Sequence, residues 1–200
     1  ENTQQLAHIG LDWHLRPRHA RSNAPDGGAK LWRIEAMALV PWRDVPYEDL
    51  ITTWAGIFNR SNERILFYSS LGRETAAFHW HDWATGHETL IAQHPKADCS
   101  RVVLHPATYE IDAVAANAGR QEWVHIAPGI SADFALLQER LAGYDVVVES
   151  QTDDNSRWIV MAHKAEQPAT YFLLDRDRQC LTELFRARPS LVPYQLAPMQ

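Results

Sequence analysis

The side chains best placed to do chemistry stand in one short run, His79-Trp80-His81-Asp82. In an extended strand His79 and His81 point to the same face, which is the geometry of a two-histidine metal pair. A competent site needs a third ligand, for which His87, His94 and Asp82 are the candidates. The plainer reading is a polar strand face beside a tryptophan-rich core, and it is the one adopted. Asp153-Asp154-Asn155 is similar to a fragment of a calcium loop but lacks the glycine and the distant bidentate glutamate, so it reads as a hairpin turn. Glu48-Asp49 and the pair Asp175 and Asp177 are explained by turns and solvated edges, without a general acid and base. Gly129-Ile130-Ser131-Ala132-Asp133 is the nearest approach to a serine-nucleophile elbow. It lacks the second glycine that lets strand and helix approach around a strained nucleophile, and Ser131 reads as a helix N-cap instead. No catalytic, cofactor-binding or metal-ligating residue is therefore assigned, and no cofactor is expected.

Cys99 and Cys180 are too few for a disulfide framework or a cysteine-based zinc site. They read as two free, buried thiols, with a single bridge between them as the other reading. The net charge of −6 comes without a basic stripe, which leaves no electrostatic case for nucleic acid. No apolar run approaches the ~18–20 residues that span a bilayer, so no membrane partner is expected. Residues Glu1 to Gln5 are polar and do not read as a signal peptide. The compartment stays undetermined, with the cytoplasm favoured over the periplasm.

The elements that must carry these residues are short strands. The 8 Trp, 6 Tyr and 6 Phe suit pleated surfaces on which flat rings pack. Ile9, Leu11, Trp13 and Leu15 alternate with Gly10, Asp12 and His14, which is strand periodicity, and Pro25-Asp26-Gly27-Gly28 is a turn signal. From Trp54 a rhythm sets in. Ile57-Phe58, Arg64 to Tyr68, Ala76 to His81 and His87 to Ala92 are four short strands separated by tight turns. The unit returns as Tyr144 to Glu149, Arg157 to Ala162, Thr170 to Leu174 and Cys180 to Phe185. Aligning Phe78 with Phe172 also aligns Leu90 with Leu184, and brings Arg64 within one residue of Arg157. That offset is about two repeats of ~45 residues, a propeller-blade length. Between them Ser100 to Leu104, Ile111 to Asn117 and Glu122 to Ala127 form the strands of a middle repeat. Phe134, Leu137 and Leu141 then take helical spacing, and Gly143 stands where a glycine C-cap belongs.

The expected fold is mainly β, a partial β-propeller of about three to four four-stranded blades with one short inserted helix. It is read as a single domain or fragment over residues 1–200. The blades run roughly 4–48, 50–94, 98–128 and 144–187, the helix 131–142, and residues 188–200 form a linker. Four-stranded units of this period bury their faces only by stacking on neighbours. An incomplete ring leaves blade edges unpaired, and self-association through them is expected.

Several phrases then stand in order: Gly72-Arg73-Glu74-Thr75-Ala76-Ala77, Ala84-Thr85-Gly86-His87-Glu88-Thr89-Leu90, Ala97-Asp98, Arg157-Trp158-Ile159-Val160, Pro168 to Asp175, Leu184 to Pro189 and Leu196-Ala197-Pro198-Met199. The series resembles the propeller of prolyl-oligopeptidase-family serine peptidases, of the dipeptidyl-aminopeptidase and acylaminoacyl-peptidase type, over roughly Glu48 to Gln200. The resemblance implies that residues 188–200 lead toward an α/β-hydrolase domain that would supply the Gly-x-Ser-x-Gly elbow, Asp and His. It implies that the chain itself is not the enzyme. It also implies that the propeller gates or selects short peptides for that partner domain, and Arg186 and Arg188 would lie at the hinge. The alternative reading is a stand-alone propeller-like module that binds protein or glycan.

Overall fold

The computed structural model describes residues 5–194 and residue 196. The chain divides into two compact units, Glu1–Ser100 and Arg101–Gln200.

The first unit holds two four-stranded antiparallel sheets. One runs in the order β1 (Leu6–Leu11), β2 (Pro17–Asn23), β3 (Ala29–Glu35) and β4 (Ala38–Val45). The other runs β5 (Trp54–Phe58), β6 (Arg64–Ser69), β7 (Ala77–Asp82) and β8 (Glu88–Ala92). Each strand pairs with its sequence neighbour, so every connection is a tight turn and each sheet is a meander, the build of a propeller blade. Sheet-forming residues are buried on both faces of β6 and β7, from Ile65 to Ser69 and from Ala77 to His81. Phe67 packs with Ala29, Leu31 and Val45 of the first sheet, while Phe58, Ile65 and Trp83 form a neighbouring cluster.

β9 (Cys99–Leu104) straddles the division and belongs to a three-stranded sheet with β10 (Ile111–Asn117) and β11 (Gln121–Ile126). The fourth sheet runs β12 (Asp145–Gln151), β13 (Arg157–Lys164), β14 (Gln167–Asp175) and β15 (Cys180–Arg186). Between them lies the helix α1 (Ser131–Arg140). Phe134, Leu137 and Leu141 turn inward to join Trp158, Val160, Ala162 and Leu174 in the core of the second unit.

The repeat is visible at the level of single hydrogen bonds. Trp83 N–H donates to Glu63 O, and Arg176 N–H donates to Ser156 O. The turns before them match too: Asn62 N–H meets Asn59 O, and Asn155 N–H meets Thr152 O. Asn62 and Asn155 both take positive φ, 61° and 57°, a conformation asparagine tolerates better than most side chains. Asp82 and Asp175 then each accept backbone N–H groups of the turn that follows β7 or β14.

Four local expectations need correction. Trp13 and Leu15 do not continue β1. Leu15 has φ 59° in a turn, and Trp13 donates its indole N–H to Phe58 O at 2.8 Å. The alternation of β1 also faces the unexpected way, with Ile9 and Leu11 about half exposed while Gly10 and Asp12 are buried. Ser131 is not an N-cap. A 3-10 turn, Pro128–Ile130, runs straight into the helix, so Ile130 takes the cap position and the Ser131 hydroxyl donates to Pro128 O at 2.9 Å. Both cysteines are free, but only Cys99 is buried; Cys180 opens the exposed strand β15. Cys99 is held above the usual thiol range chiefly by burial. Iodoacetamide at pH 8 is therefore expected to label Cys180 in the native chain and Cys99 only after unfolding, as read by peptide mass spectrometry.

Candidate functional site: a histidine-rich seam between two sheets

His79 and His81 sit on β7 as strand neighbours two apart, so their side chains share one face. The expectation of a polar strand face is corrected here: both imidazoles are buried, at 3% and 2% exposure, and at His81 the face of β7 is covered by the first sheet. The cover is Trp42 of β4. Its ring lies 4.9 Å from that of His81, 5.4 Å from Phe67 and 5.4 Å from Trp83. A third buried histidine, His19 of β2, meets Trp42 edge-on at 6.4 Å and Phe58 at 6.5 Å.

One carboxylate ties the two sheets together. Glu88 pairs with His81 across β7 and β8, and its Oε1 accepts from His81 Nδ1 at 3.2 Å. The same oxygen accepts from the guanidinium of Arg43 on β4. Arg33 of β3 adds a second tie, donating to Trp83 O at 2.5 Å and lying over the Trp83 ring at 4.3 Å. Trp42 and Arg43 reach the same seam although they are consecutive. The β3–β4 ladder slips between Leu31 and Trp32, pairing Leu31 with Arg43 and Trp32 with Pro41, so Trp42 is the extra residue of a bulge.

The seam is short of hydrogen bonds. Both ring nitrogens of His79, Nε2 of His81, Nε1 of Trp42 and Nε of Arg43 are buried without a well-formed protein partner. A buried polar group left so costs about 1–3 kcal/mol. Burial is accordingly the first cause that lowers the pKa of each histidine. For His79, Arg73 adds to the effect, while Glu88 and, weakly, the carbonyls of Phe67 and Ala77 oppose it. For His81, the hydrogen bond and charge of Glu88 oppose burial, and Arg43 and Arg33 reinforce it. His19 is lowered to about 4, by burial and then by His8, against the Gly56 carbonyl.

The other sequence candidates fall elsewhere. Among the described residues no three His, Cys, Asp or Glu side chains gather as a metal site. Asp154 accepts from the Thr152 hydroxyl at 2.5 Å and from Ser156 N and Oγ, which brings its carboxyl down to about 2. That is turn geometry. Asp49 accepts from the Ser70 hydroxyl at 2.5 Å. Arg186 pairs with Glu183 at 3.3 Å, and of the segment 188–200 residue 195 and residues 197–200 lie outside the described residues. No helix among the described residues is long and apolar enough to cross a membrane.

Sequence reasoning missed the roles of Glu88, Arg43 and His19. Glu88 was legible in principle, since it faces His81 across a short turn. Arg43 was not, because the bulge that aims it leaves no mark in a binary pattern. His19 had a faint signal in Gly10: a Cβ there would lie 1.8 Å from the His19 ring, so only glycine admits the imidazole.

No protein-family model matches the chain. It is 36% identical over 199 residues to dipeptidyl aminopeptidase BIII of Pseudoxanthomonas mexicana, a match that takes in 99% of this chain and 29% of that protein. The chain thus spans less than a third of that relative's length. Among solved structures it is similar to TolB from Acinetobacter baumannii, with a TM-score of 0.50 and 9% identity over 84% of this chain and 40% of that one. At such identity the likeness shows the fold alone. That fold is of the β-propeller type, mainly β, with four successive blade sheets and one short α-helix among the described residues.

Proposed function

We propose that the chain is the propeller portion of a serine peptidase of the prolyl oligopeptidase family, releasing dipeptides through a hydrolase domain that lies outside these 200 residues. The observation that carries this reading is the 36% identity to a dipeptidyl aminopeptidase along nearly the whole chain. The blade architecture and the ordered phrases from Gly72 to Met199 support it. In this reading the blades do no bond chemistry. They restrict which peptides reach the hydrolase domain, by size.

The test uses two proteins, the 200-residue chain and the product of the complete coding sequence. The longer product is expected to release p-nitroaniline from dipeptidyl p-nitroanilides and to react with a fluorophosphonate at a serine. The 200-residue chain is expected to do neither. A coding sequence that ends at Gln200, or hydrolysis by the short chain, overturns the reading. Size selection is read from the same longer product, as a fall in kcat/KM of at least ~100-fold from short peptides to a folded protein of the same terminal sequence, about 2.7 kcal/mol of discrimination.

A further inference from the structure

The histidines of β7 stand where the last sheet uses apolar residues. Arg64 opposite Asp82 and Arg157 opposite Asp175 open equivalent ladders. Along them, Ile65 opposite His81 corresponds to Trp158 opposite Leu174, and Phe67 opposite His79 corresponds to Val160 opposite Phe172. A sheet of this chain therefore packs well without imidazoles at those two positions, with Leu174 fully buried. Yet the second sheet carries two of them, and the first sheet brings His19 to the same aromatic cluster through Trp42.

We propose that this seam is a proton-operated latch, closed at neutral pH and opened by acid, between the β1–β4 and β5–β8 sheets. The atoms give the reason. Glu88 is an acceptor, so the neutral His81 carries its proton on Nδ1, and a second proton must go to Nε2. His81 Nε2 has no protein acceptor, and His79 makes no well-formed hydrogen bond although the carbonyls of Phe67 and Ala77 act on its ring. The new N–H of His81 can be satisfied only by water, and the Trp42 ring, 4.9 Å from that of His81, must lift to admit it.

The charges around the pair are mixed. Glu88 from β8 favours the protonated forms, whereas Arg43 from β4, Arg33 from β3 and Arg73 from the β6–β7 turn oppose them, and Asp82 ends β7 itself. Burial outweighs Glu88, so the closed seam holds these imidazoles below their ordinary pKa near 6.5 and the open seam restores it. The contact is then fully stable above about pH 6.5 and weakens as the pH falls below it.

Hydrogen–deuterium exchange of the 200-residue chain tests the latch, with protection factors corrected for intrinsic rates at pH 7.5 and 5.0. Protection of the β4 and β7 amides is expected to drop at least ~tenfold at pH 5.0, while β12–β15 keep theirs. Substituting His79→Phe and His81→Leu, as in the last sheet, should shrink that drop, and adding His19→Gln should abolish it. Unchanged protection, an equal drop in β12–β15, or a full drop in the triple variant overturns the proposal. Should the triple variant not fold, NMR of the imidazole Cε1–H signals in the unaltered chain decides. His79 and His81 titrating below 6.5 as the seam amides lose protection supports the latch; titration at or above 6.5 with protection intact overturns it.

Discussion

Trp158→Ala is expected to remove about 3–5 kcal/mol of stability and to leave the second unit unfolded or close to it. The side chain is fully buried and lies opposite Leu174 at the centre of that unit's core. Its indole N–H donates to Asn155 Oδ1 at 2.6 Å, the Phe134 ring meets it edge-on at 5.9 Å, and the Arg176 guanidinium covers it at 4.7 Å. Truncation loses the transfer free energy of the ring and opens a cavity in the core shared with Phe134 and Leu137. A single domain has only about 5–15 kcal/mol in all. Trp158→Phe keeps much of the volume but takes from Asn155 Oδ1 one of its two side-chain donors, leaving Gln151 Nε2 at 3.2 Å, so a loss of about 1–2 kcal/mol is expected. Urea denaturation followed by far-ultraviolet circular dichroism measures both. An alanine variant within 1 kcal/mol of the parent would show that the ring is not the keystone of the unit.

Arg176→Leu is expected to cost about 3–5 kcal/mol, and more than the double change Asp133→Leu with Arg176→Leu. Asp133 is 3% exposed, and its Oδ2 accepts from Arg176 Nε at 3.0 Å and Nη2 at 2.9 Å. The same guanidinium donates to Asn155 O. Removing the arginine alone leaves a buried carboxylate with Gln179 Nε2, at 2.9 Å on Oδ1, as its remaining side-chain donor. Removing both leaves no unpaired buried charge, only the neutral groups Asn155 O and Gln179 Nε2 short of a partner, which is why breaking a buried pair costs more than replacing it. The order of the two stabilities is the test. If the double variant is the less stable, Asp133 is held mainly by something other than Arg176.

The blade rhythm was readable because it rests on local chemistry. Asn59-Arg60-Ser61-Asn62 and Thr152 to Ser156 announce turns by residue type, and the strands between them must follow. The first sheet was harder to read. Its edge strand β1 shows Ile9 and Leu11 outward and seats Gly10 under a histidine, so hydrophobic alternation gives the right element with the wrong face. Ser131 looked like a cap because its type suits one, but Pro128 had already begun a turn that enters the helix. The seam was the least legible part. The apolar residues at the matching places in β14 give no warning of His79 and His81, and Arg43, which shares Glu88 with His81, is reached only across a neighbouring sheet.

The bulge at Trp42 carries one more consequence, a genetic one. Alternation forbids consecutive strand residues from sharing a face, so no substitution in a regular β4 can set an indole and a guanidinium side by side against the same neighbour. The extra residue does so by changing the strand's phase. The seam is therefore made or erased by gain or loss of a single codon. Relatives that lack it should differ from this chain in the spacing between Met37 and Val45 before they differ in the residues themselves.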